Sequence, residues 1–88
     1  MEPLSVLKKL KDTAGLSEAF HITYYEGYRK TKKGGKQEIS IKILDAGPES
    51  GKNRYTIVAE LEDGRRAESN AAESIDMALS IVPWQKLD

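Results

Sequence analysis

Eighty-eight residues, 39% apolar and 32% charged, make one globular domain over 1–88, and that apolar share argues against disorder. Fourteen basic and fourteen acidic residues cancel, so no global field draws the chain to nucleic acid. Without cysteine there is no disulfide and no thiolate-bound metal, so the fold rests on its core, and a chain this short buries only roughly 60–65% of its unfolded surface.

The predicted elements run in this order. Pro3 suits a first helical turn, and Leu4, Val6, Leu7, Leu10 and Ala14 give residues 3–14 an apolar side, with Lys8, Lys9 and Lys11 opposite and Gly15 as the stop. Residues 20–28 read as a strand with Phe20, Ile22, Tyr24 and Tyr28 on one face and His21, Thr23 and Tyr25 on the other. Alternation alone sets Tyr24 and Tyr28 beside Phe20, which predicts a core position for that face. Residues 29–36 carry five positive charges and a glycine pair, the composition of a turn or flexible loop.

Residues 38–43 alternate three isoleucines with polar neighbours and predict a second strand. A breaker-rich loop over 46–53 leads to a third strand at 55–62, with Tyr55, Ile57, Ala59 and Leu61 inward. Asp63-Gly64 supplies a two-residue hairpin turn, because glycine accepts positive φ cheaply. Residues 65–69 return with Ala67 inward. Asn70, with Glu73 three residues on, predicts the N-cap of a helix whose stripe is Ala72, Ile75, Leu79 and Val82. Pro83 ends that helix, and Trp84 and Leu87 follow as apolar anchors of the tail, Trp84 either closing the core or standing exposed as an anchor for a partner. Helix, three or four antiparallel strands, then helix is an α+β two-layer sandwich, its helices on one sheet face.

From Ile43 to Leu87 the chain resembles the double-stranded RNA-binding domain, an α-β-β-β-α fold. The likeness is carried by the Gly47-Pro48 loop after a strand, Tyr55 opening the next strand, and the Asp63-Gly64 hairpin before the last strand and helix. It implies that fold and an RNA partner. Where the family has a loop histidine two residues after the proline, this chain has Ser50. Where the family's last helix opens with a lysine cluster, Ser69–Ser74 has none and includes Glu73. The segment 20–36 adds a strand to the pattern.

Charge is unevenly spread: residues 1–36 carry net +4 and residues 37–88 net −4. Arg29, Lys30, Lys32, Lys33 and Lys36, joined by Lys8 and Lys11 of the first helix, form the candidate phosphate-binding surface. Arg65 and Arg66 sit among Glu60, Glu62, Asp63 and Glu68 and read as a surface ion-pair ladder. The lone His21 allows no catalytic triad and no His-pair metal site, and no phosphate loop or nucleophile elbow is present. The expectation is a cytoplasmic, non-catalytic binding module without cofactor, metal or membrane span. Its partner is RNA, held weakly and without sequence preference, or another protein, met by a sheet face or edge.

Overall fold

The computed structural model describes residues 2–88 and has an α+β fold built on one open, four-stranded antiparallel sheet. Helix α1 spans Pro3–Ala14, and strands β1 (His21–Lys30), β2 (Lys36–Asp45), β3 (Tyr55–Leu61) and β4 (Arg66–Glu68) follow in a meander of order β1-β2-β3-β4. Helix α2 spans Ile75–Ile81, and a 3-10 turn over Trp84–Leu87 closes the chain. Gly15 ends α1 in the left-handed region at φ 69, as the chain order predicts.

The isoleucines of β2 decide which side of the sheet is inside. Ile39 lies opposite Gly27 and Leu61, Ile41 opposite Tyr25 and Ala59, and Ile43 opposite Thr23 and Ile57. Ile57, Ala59, Leu61 and Ala67 are buried on that face, as alternation predicts for β3 and β4. Ala72, Ala78, Val82 and Leu87 close over them, and Trp84 packs at the margin, its indole N–H donating to the Leu79 carbonyl at 3.1 Å. Alanines on both contacting surfaces let α2 approach β3 closely, which keeps a small core dense.

Four expectations are corrected. The β3–β4 loop has three residues, Glu62–Gly64: Gly64 N–H donates to the Leu61 carbonyl, and Leu61 N–H to the Arg65 carbonyl. Gly64 has φ 93, the position where such a loop needs glycine. Asn70 caps nothing; Ser74 is the N-cap, its hydroxyl accepting from Met77 N–H at 3.1 Å. The intervening residues continue the sheet, because Tyr55 and Ala72 exchange both backbone hydrogen bonds at 2.8 Å. With the helix starting later, its inward residue is Ala78, while Ile75 and Leu79 are 38% and 36% exposed. Finally, the basic segment is not a loop throughout: Arg29 and Lys30 end β1, Lys36 opens β2, and only 31–35 turn.

Strands β1 and β2 outrun their cover. Each has ten residues, β4 has three, and the molecule measures 49 × 21 × 20 Å. Helix α2 lies over β3 and the C-terminal turn over β4, whereas α1 touches the start of β1 and buries only Leu7, beside Gly47. Among the described residues no helix is long and apolar enough to cross a membrane.

Candidate functional site

The cationic residues fall into two groups at opposite ends of the β1–β2 ribbon. Arg29, Lys30, Lys32, Lys33 and Lys36 gather at the hairpin tip, where Thr31 N–H donates to the Gly35 carbonyl at 2.8 Å and Thr31 Oγ1 accepts from Gly35 N–H. Lys8 and Lys11 line a different hollow, beside Ala46, Gly47 and Pro48. The nine residue steps of β1 separate these ends by about 30 Å at ~3.3 Å per residue. The first helix therefore does not extend the cationic surface of the tip.

The tip borders an open cleft of about 360 Å³, whose lining includes Lys30, Lys32, Lys33, Arg65, Leu87 and Asp88. Arg29 is tied to Asp88 at 2.9 Å and Arg65 to Asp63 at 2.9 Å. Gln37 donates to the same Asp63. Among the described residues no ion pair engages Lys30, Lys32, Lys33 or Lys36. Arg66 pairs with Glu60 at 3.8 Å and with Glu68, the ladder that the charge pattern predicts.

The second feature is β1 itself, and here the expected core face is the exposed one. Ile22, Tyr24 and Tyr28 are 51%, 52% and 74% exposed, and Phe20 is exposed beside them. The paired registers explain the reversal: the core side of β1 carries Thr23, Tyr25 and Gly27 against the β2 isoleucines. Even Tyr25 on that side is 55% exposed, because α2 lies over β3 and not over β1. Tyr24 donates its phenol hydrogen to Glu26 at 2.9 Å; this bond first, then desolvation, raises the Tyr24 pKa.

Backbone chemistry completes this edge. Ala46 N–H donates to Arg54 and Glu62 N–H to Glu38, so even-numbered β2 residues bond to β3. Odd-numbered β2 residues therefore bond to β1, in agreement with the Thr31–Gly35 pair beyond the strand ends. It follows that the amides and carbonyls of Ile22, Tyr24, Glu26 and Tyr28 point away from the sheet. A ten-residue edge with free polar backbone and apolar side chains on both faces is a template for another strand.

Asp45 and Arg54 form the best-built charged pair, and no local motif marks it. Arg54 Nε and Nη2 donate to the two Asp45 oxygens at 2.8 and 3.0 Å, Gly47 N–H adds 2.8 Å, and the guanidinium lies over the Tyr55 ring at 4.7 Å. These bonds, Arg54 first, hold the Asp45 carboxyl below its ordinary pKa against the opposing effect of burial. Both Asp45 oxygens are engaged, and the pair locks the loop between β2 and β3. Among the described residues no three histidine, aspartate or glutamate side chains converge as a metal site. No family model matches the chain, and comparison with curated proteins and with solved structures found no match.

Proposed function

We propose that this domain is a non-catalytic protein-interaction module that takes its partner along β1. The observation that carries the reading is the ten-residue edge with outward-pointing amides and exposed Ile22, Tyr24, Tyr25 and Tyr28. Added strands gain main-chain hydrogen bonds for affinity, while alternate side chains set specificity. The charges nearest this edge are mixed, with Glu26 and Glu38 beside Lys42, which suits a protein partner better than a polyanion.

Weak, sequence-independent RNA binding at the hairpin tip is the second reading, favoured by Lys30, Lys32, Lys33 and Lys36, which no ion pair engages among the described residues. On that reading the helix–meander–helix order makes the domain a relative of the double-stranded RNA-binding fold with one strand added. Against it stand the acidic Asp76 in the first turn of α2 and the distance of Lys8 and Lys11 from the tip. Phosphate contacts supply most nucleic-acid affinity, so a small split patch binds poorly.

Amide chemical-shift mapping tests the choice. Extended peptides with alternating apolar residues should perturb Ile22 to Tyr28 and leave α2 unmoved. Binding of a ~20-base-pair RNA duplex, with shifts confined to the tip and lost on raising salt, would favour the second reading instead.

A further inference from the structure

We propose that two copies of this chain join through β1, edge to edge and antiparallel, about a twofold axis at Tyr25. The two four-stranded sheets then run on as one sheet of eight strands. This inference rests on the β1-edge reading and names its partner.

The backbone restricts the register. Only even-numbered β1 residues carry free amides and carbonyls, so even must face even, and the axis must fall on a residue. An axis at Tyr25 sets Tyr24 opposite Glu26, Ile22 opposite Tyr28 and Phe20 opposite Lys30 of the second copy. Each is a favourable cross-strand pair: phenol with carboxylate, aliphatic with aromatic, and ring with cation. Continued past the strand ends, the same register brings Lys32 beside Glu18 of the second copy, an opposite-charge pair. Arg29 faces His21 there, and its charge is already matched by Asp88.

Each neighbouring register introduces a mismatched pair. An axis at Glu26 places two carboxylates directly opposite each other. An axis at Tyr24 pairs Tyr24 with Tyr24 and Phe20 with Tyr28 but sets Ile22 against the Glu26 carboxylate on both sides of the axis, and one at Gly27 sets Ile22 against Lys32.

Gly27 supplies a second, independent observation. It does not hold a positive φ, and a Cβ there would meet nothing within 4 Å, so neither conformation nor packing within the chain calls for glycine. Glycine inside a strand weakens it and often marks close approach by another group. With the axis at Tyr25, the two Tyr25 side chains face each other on the core side of the sheet, and the diagonal neighbour of each is Gly27 of the second copy. The bare backbone at Gly27 leaves room for the exposed ring of Tyr25.

Sedimentation equilibrium from ~10 µM to ~1 mM should give a reversible dimer mass for the intact chain. Glu26→Pro removes an outward amide without touching a β1–β2 bond and should weaken dimerisation at least tenfold. Ile22→Lys should do the same by burying a charge, and circular dichroism should report an unchanged fold for both.

The chain has no cysteine, so introduced thiols report the register directly. Tyr25→Cys should oxidise to a disulfide-linked dimer, because a non-hydrogen-bonded pair holds its Cα atoms about 4.5 Å apart. A mixture of Thr23→Cys and Gly27→Cys should cross-link as a heterodimer with Tyr25 intact, whereas Gly27→Cys alone should not. Cross-linking of Gly27→Cys alone in preference to Tyr25→Cys would overturn the register. A monomer mass up to ~1 mM would overturn self-pairing altogether. If that monomer still bound an extended peptide and lost it on Glu26→Pro, the β1 reading would stand without self-pairing; if β1 never responded, both would fall.

Discussion

The Ser69 hydroxyl accepts the backbone N–H of Ile57 at 2.9 Å, taking the place of its own carbonyl in the β3–β4 ladder. Ser69 N–H still donates to the Ile57 carbonyl, so the pair is half backbone and half side chain. One residue beyond the regular register then separates it from the Tyr55–Ala72 bridge, and the strand bulges at Asn70 and Ala71. Ser69 is the buried polar residue that makes the bulge possible, since it satisfies an amide inside the core.

Ser69→Ala should therefore leave the Ile57 amide unpaired and destabilise by about 1–3 kcal/mol. Asn70→Ala, at the exposed neighbour, should stay within ~0.5 kcal/mol. Urea melts of the two variants, compared at equal slope, check the difference; equal midpoints would remove the role assigned to the hydroxyl.

Gly64→Ala should destabilise by about 1 kcal/mol. Nothing lies within 4 Å of the added Cβ, so the effect is conformational, arising from φ 93. The wild-type melt returning unchanged would count against the tight loop.

The C-terminal turn should matter more than the exposed side of α2. Leu87 is 2% exposed in the core, so Leu87→Ala should lose about 2–5 kcal/mol and unfold much of the population at 37 °C. Leu79→Ala, at a site 36% exposed, should lose less than ~1.5 kcal/mol. Thermal melts that reverse this order would place the wrong side of α2 against the sheet.

Acid should loosen the β2–β3 loop. The folded Asp45 pKa lies below its unfolded value of about 3.9, so the stabilisation from Arg54 and Gly47 is present above that value. It disappears as pH falls through the lower, folded pKa, where the protonated carboxyl releases Arg54. Asp45→Asn should flatten this part of the stability–pH curve and lower stability at pH 7. Chemical denaturation at a series of pH values below ~5 checks both.

Local pattern was enough for much of the architecture. Pro3 and Gly15 bracket α1, the isoleucines of β2 and the odd residues of β3 declare their inward faces, and Gly64 marks its loop. In each case a single period or a single conformational need has one solution. The lysines at the hairpin tip were equally visible as charges, but not their separation from Lys8 and Lys11, which depends on how α1 meets the far end of the ribbon.

Which side of β1 faces the core was a different kind of question. Period two places Phe20, Ile22, Tyr24 and Tyr28 together but does not say where they point, and Tyr25 makes the opposite side apolar too. Pairing with β2 decided it, because Ile39, Ile41 and Ile43 carry Gly27, Tyr25 and Thr23 to their own side. The last helix was ambiguous for a related reason. Asn70 and Ser74 both have capping chemistry, and a cap forms only where the backbone is free to turn. Hydrogen bonds from Tyr55 to Ala72 hold the chain in the sheet past Asn70, so Ser74 is the first cap able to act. Periodicity is a property of neighbours in the chain; burial is decided by partners brought together from far along it.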